Sequence, residues 1–138
     1  MVRTEVRVLY ADTDRMGVVY YANHLRWFEA GRNEFLRAKG LRYRDFEERF
    51  GLLLPVAEAG VKYLEPARYD DLLGVETSLV EMGRASARFT YRIVREAAVL
   101  ATGFTIHACV DAAGRVVRLP QELSRALASS EAPGAAGG

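Results

Sequence analysis

The sequence predicts an α+β domain in which one long helix is wrapped by a curved antiparallel sheet. Three observations carry that prediction: one amphipathic run near the N-terminus, a succession of alternating segments after it, and short turn-like links between those segments. No internal repeat and no linker interrupts the 138 residues, so residues 1–128 read as a single domain. The closing residues 129–138 offer nothing to bury and are expected to be disordered.

Val2 to Ala11 alternates, with Val6 and Val8 on one face and Glu5 and Arg7 on the other, the period of a half-buried strand. Ala22 to Lys39 comes next as the helix. Leu25, Phe28, Phe35 and Leu36 form its apolar stripe, and Gly40 is placed to end it. Gly31 inside this helix costs up to about 1 kcal/mol relative to alanine, which implies that a sheet surface comes close there. Tyr43 to Phe50 reads as a short second helix. Leu53 to Leu64 is extended, with Pro55 near its start where a missing N–H is tolerable.

Leu72 to Glu81 alternates, and Met82-Gly83 marks a turn. Ala85 to Arg95 alternates most clearly, with Ala87, Phe89, Tyr91 and Ile93 on one face. Val99 to Val110 is expected to turn Leu100, Thr102, Phe104, Ile106 and Ala108 to a common face. Pro120 to Ala128 reads as a terminal helix opened by proline. A sheet covered by one helix leaves a face or an edge open, so a homo-oligomer is expected, a dimer at minimum and a tetramer by preference.

Half the residues are hydrophobic and 27% charged, and the formal net charge is +1. That balance gives no ground for a nucleic-acid or membrane-surface partner. Cys109 is the only cysteine, which excludes an intrachain disulfide and a cysteine-built zinc site. The alternating N-terminus does not read as a signal peptide, and no segment reaches the ~20 apolar residues of a membrane span. A cytoplasmic location is expected.

The stretch YADTDRMGVVYYANHLRWFEAGR, residues 10–32, sets two aspartates ahead of the helix. Asp12, Asp14 and Gly17 match three positions of a calcium-binding loop, but Met16 and Asn23 stand where oxygen ligands are required. Helix capping accounts for one aspartate, and Asp12 suits it. Asp14 is succeeded by Val18, Val19, Tyr20 and Tyr21 on the way into the core. A carboxylate held there, beside free backbone donors, suits acyl chemistry.

DTDRMGVVYYANHLRWFE, from Asp12 to Glu29, resembles the signature of the 4-hydroxybenzoyl-CoA thioesterase family. It is similar too to the Tol-Pal-associated acyl-CoA thioesterases within it, all of the hotdog fold. VKYLEPARYDD, from Val61 to Asp71, resembles a second segment of those enzymes, and the likeness spans residues 3 to about 127. The resemblance implies an acyl-CoA thioesterase that needs no cofactor beyond the coenzyme A of its substrate. It implies Asp14 as nucleophile or general base, the Tyr21 backbone amide as oxyanion donor, and Gly17 as the residue that lets the backbone approach substrate. It also implies sites shared between two subunits. Many short-chain relatives carry histidine where Tyr21 stands, whereas the benzoyl-type enzymes carry an aromatic residue.

Further candidates for substrate contact are Tyr20, Asn23, His24, Lys62 and Arg84. Asn23 suits a loop-holding role better, since asparagine favours local backbone bonds near helix starts. Arg84, Arg88, Arg92 and Arg95 are able to grip phosphates, although a charged row on a strand is usually a solvated face. His107 and Cys109 read as structural. No G-x-S-x-G elbow is present, which argues against a serine hydrolase. A dehydratase of the same fold requires a histidine–acid pair, and no histidine precedes the helix. The non-enzymatic alternative is an acyl-ligand or protein-binding module that keeps the fold without turnover.

Overall fold

The computed structural model describes residues 1–129; residues 130–138, most of the expected tail, lie outside it. Strand β1 (Val2–Arg7) leads through a 3-10 turn at Tyr10–Asp12 into helix α1 (Asn23–Ala38) and helix α2 (Tyr43–Phe50). Strands β2 (Leu52–Leu53), β3 (Val56–Tyr63), β4 (Leu72–Met82), β5 (Ser86–Arg95), β6 (Ala98–Ala108) and β7 (Val110–Asp111) come next, and helix α3 (Gln121–Ala128) closes the fold. The main sheet is antiparallel in the order β1-β4-β5-β6-β3, and β2 pairs with β7 in a separate ribbon. Among the described residues no helix is long and apolar enough to cross a membrane.

Helix α1 lies on the inner face of the sheet. Phe28 stacks on Tyr91 of β5 with centroids 4.3 Å apart and planes 6° from parallel. The approach is close enough to require glycine: a Cβ on Gly103 would meet the Phe28 ring at 2.4 Å. Gly40 sits at φ 77°, the left-handed conformation that ends a helix without a Cβ clash. A first apolar cluster joins α1 to the sheet through Trp27, Phe28, Phe35, Val75, Phe89 and Ile93. A second gathers Leu36, Phe46, Leu54, Cys109, Leu123 and Leu127 where α2 and α3 close one end.

A polar row runs through the first cluster. The Tyr91 hydroxyl lies 2.6 Å from Thr105 Oγ1, which lies 2.8 Å from His107 Nε2. Nδ1 of His107 lies 2.9 Å from the Leu54 carbonyl, and Arg32 donates to the Tyr91 hydroxyl at 3.1 Å.

Two expectations need correcting. Leu25 is 42% exposed, and His24, Trp27 and Gly31 complete the buried stripe instead. Leu25 lies on the same flank of α1 as Leu36, but only the Leu36 end is covered by the second cluster. On β6, Thr102, Phe104, Ile106 and Ala108 do share a face, the outer one, with Ala101, Thr105 and His107 turned inward; Leu100 does not join them and lies in the core. The cause is a bulge: Ile93 pairs with Ala101 and Val94 with Val99, which leaves Leu100 as an extra residue and reverses the alternation beyond it.

Candidate active site

The loop between β1 and α1 folds back on itself. The Asp14 amide donates to the Val18 carbonyl at 2.9 Å, and the Gly17 amide to the Asp14 carbonyl at 3.0 Å. Gly17 makes that reversal at φ 76°, which a side chain would strain. The Met16 amide donates to Asp14 Oδ1 at 2.8 Å. Among the described residues Oδ2 has no protein partner, so the half-buried carboxylate is held by one oxygen and open at the other.

The neighbouring aspartate has a different task. Asp12 is 6% exposed, pairs with Arg26, and accepts from the Leu9 amide at 2.8 Å. It therefore braces the 3-10 turn and docks it on α1; it does not cap α1 itself. Its carbonyl accepts from the Tyr20 amide and from Asn23 Nδ2, both at 2.9 Å. Asn23 thus holds the loop.

Asp14 opens onto a cleft of about 340 Å³ at the β3–β4 link. Met16, Val18, Leu64 and Pro66 give it apolar walls, and Tyr21, His24 and Tyr63 lie beside Asp14 in its lining. The two family-like stretches meet here: the Val19 amide donates to the Ala67 carbonyl at 2.8 Å, and Val18 bridges to Arg68. Asp71 fixes the second stretch, accepting from the Arg68 amide at 2.8 Å and pairing with Arg95 at 2.9 Å.

Tyr21 stands just ahead of α1. The Asn23 amide donates to the Tyr20 carbonyl at 2.9 Å, which fixes the Tyr20–Tyr21 peptide. Among the described residues the Tyr21 N–H donates to no protein acceptor. The Tyr21 carbonyl accepts from the Tyr63 hydroxyl at 2.8 Å and lies 2.9 Å from His24 Nδ1. Because a carbonyl only accepts, Nδ1 carries the proton and Nε2 keeps its lone pair. Burial lowers the His24 pKa, with the Tyr21 bond opposing it, so the neutral imidazole is favoured. Burial raises the Tyr63 pKa, which keeps its hydroxyl a donor.

The sequence-derived candidates separate. Asp14, Tyr21 and His24 share the cleft, with Gly17 in the turn beside it. Tyr20 is 45% exposed and rests on the Tyr21 ring at 4.5 Å. Lys62 faces the outer side of the sheet, in a separate groove with Arg88, Arg92 and Phe104. Arg84 sits at the β4–β5 turn near Arg118, at the far end of the sheet from Asp14. Tyr63 was missed as a site residue, although strand alternation opposite to Lys62 points it toward the helix.

Residues 8–127 match the thioesterase-like superfamily. The acyl-CoA thioesterase YbgC of Haemophilus influenzae is 37% identical over 123 residues, spanning 88% of this chain and 90% of that one. The 1,4-dihydroxy-2-naphthoyl-CoA hydrolase of Nostoc punctiforme is 32% identical over 117 residues, spanning 84% and 79%. The crystal structure of the Thermus thermophilus protein TT1821 superposes with a TM-score of 0.86 at 40% identity, covering 91% of this chain and 95% of that one. Sequence and helix-on-sheet architecture agree: the chain belongs to the thioesterase-like superfamily and is a thioesterase of the hotdog fold.

Proposed function

We propose that this chain hydrolyses an acyl-CoA thioester to the free acid and coenzyme A, with Asp14 as the reacting carboxylate and the Tyr21 amide as oxyanion donor. One observation carries the reading: a carboxylate with one free oxygen and an unbonded backbone N–H belong to residues lining the same cleft. As general base, Asp14 takes a proton from water, and the water oxygen attacks the thioester carbonyl. As nucleophile, Asp14 forms an anhydride that water then opens. In both routes negative charge collects on the thioester oxygen and the C–S bond breaks. In the first the thiolate takes the proton held by Asp14; in the second it leaves as the anion, the proton coming from the water that later opens the anhydride.

A donor fixed before reaction stabilises that charge without reorganising, and the nearby start of α1 adds its positive dipole end. The chemistry consumes only thioester and water. The apolar walls suit an acyl group, and both named CoA-thioester relatives act on coenzyme A esters. The aromatic side chain at Tyr21 favours the 4-hydroxybenzoyl-CoA type of site over the histidine type.

The functional unit proposed is a homo-oligomer, a dimer at minimum. Its support is β3, an edge strand of eight residues whose side chains are largely exposed. Glu58 and Lys62 stand equally far from Gly60 on one face, so two copies paired antiparallel about Gly60 would set unlike charges opposite each other.

Thiol release measured across short, long and aryl acyl-CoAs tests the reading. Turnover on at least one ester, lost in Asp14→Asn with ligand binding retained, supports it. A protein that binds acyl-CoA without releasing thiol is the binding module instead.

A further inference from the structure

Tyr21 is pinned on both sides of its free amide. On the N-terminal side, the Tyr20 amide donates to the Asp12 carbonyl and the Tyr20 carbonyl accepts from Asn23, each at 2.9 Å. On the other side the Tyr21 carbonyl receives two donors from outside the helix backbone: Tyr63 Oη at 2.8 Å and His24 Nδ1 at 2.9 Å. That carbonyl is available because the first turn of α1 is tight: the Leu25 amide donates to Ala22, at 3.2 Å, and not to Tyr21.

The two donors also fix each other. The His24 ring meets Tyr63 edge-on at 4.8 Å and Trp27 at 5.6 Å, and His24 is 4% exposed. Tyr63 stands at the end of β3 and His24 in the first turn of α1, so the clamp ties the edge strand to the helix start.

We infer that His24 and Tyr63 are positioning residues that clamp the Tyr21 carbonyl and so aim the neighbouring Tyr21 N–H at the developing oxyanion. The clamp has a second effect. A bare carbonyl beside a developing negative charge opposes it, and two donors draw that oxygen's charge away. His24 acts through Nδ1, whose proton is present in both the neutral and the charged ring.

This inference rests on the thioesterase reading and has its own test. Tyr63→Phe removes one donor. His24→Gln places an amide where Nε2 lies and abandons Nδ1, whereas His24→Asn places an N–H close to Nδ1. With wild-type turnover established on an acyl-CoA, Tyr63→Phe and His24→Gln are expected to lower kcat roughly 10- to 100-fold with KM little changed, the size expected of a misaimed donor. His24→Asn should recover most of the loss, and the pH profile should keep its shape.

Equal loss in His24→Asn and His24→Gln, with a new acidic limb in the wild type assigned to His24, would overturn the clamp in favour of a base at Nε2. Lowered melting temperature with unchanged kcat would overturn it in favour of packing alone. NMR of the histidine-ring nitrogens gives a readout independent of turnover: the proton must reside on Nδ1, and an Nε2–H ring refutes the clamp whatever the activity. Wild-type protein that releases no thiol sinks the thioesterase reading, and the catalytic part of the clamp with it, even if the Nδ1 proton is found.

Discussion

Gly31 of α1 lies so close to Thr77 of β4 that a Cβ built on it would sit 2.4 Å from the threonine hydroxyl and 2.8 Å from a methyl of Val75. Both neighbours are fully buried and β-branched, so neither moves aside freely. Gly31→Ala would gain up to about 1 kcal/mol of helix propensity and lose about 1–3 kcal/mol to overpacking. The expected outcome is a lower denaturant midpoint; a stabilised variant would contradict the geometry.

Asp12 and Asp14 stand two residues apart and should fail differently. Asp12→Asn weakens a buried brace between the 3-10 turn and Arg26, a loss of about 1–2 kcal/mol that thermal melting detects. Asp14→Asn keeps an oxygen for the Met16 amide and should leave melting nearly unchanged, while thiol release falls ~100-fold or more.

Acid should weaken the fold through His107. Burial, and after it the Arg32 charge, lowers its pKa against the opposing Leu54 bond. In the unfolded chain the ring titrates near about 6.5. As pH falls through that value the unfolded chain takes up a proton that the folded chain resists, so stability falls; at higher pH both are neutral and the dependence disappears. Denaturant midpoints at about pH 7.5 and pH 5.5 should differ more in the wild type than in His107→Gln, and a parallel drop in both would remove His107 as the cause.

The β3 edge yields a charge-swap experiment. Glu58→Lys sets like charges opposite Lys62 in a pair centred on Gly60 and should shift light scattering toward monomer; adding Lys62→Glu should restore the assembly. Indifference of the oligomer to both changes would exclude that register.

Much of the architecture was legible because period and punctuation agreed. Ala87, Phe89, Tyr91 and Ile93 alternate as a one-sided strand and are all buried, and the glycine inside α1 announced the sheet that touches it. The inward face of β6 was not legible, because a single extra residue at Leu100 reverses every later side chain without altering composition. Within the candidate site, Asp14 could be told from Asp12 by the apolar and aromatic run from Val18 to Tyr21 that separates it from the helix. For Tyr63 only the direction was legible, since alternation opposite to Lys62 turns it toward the helix; its contact with Tyr21, 42 residues away, is created by the packing of β3 beside the helix start.

The polar row in the core has a direction. Arg32 only donates, the Leu54 carbonyl only accepts, and between them the Tyr91, Thr105 and His107 protons each have a single compatible orientation. Sliding β6 along β5 by two residues would preserve inside and outside yet strand these groups, at about 1–3 kcal/mol for each one left unpaired. Greasy contacts alone would tolerate such a slip. The hydroxyl-and-imidazole relay proofreads assembly, so its loss should show first as heterogeneous refolding.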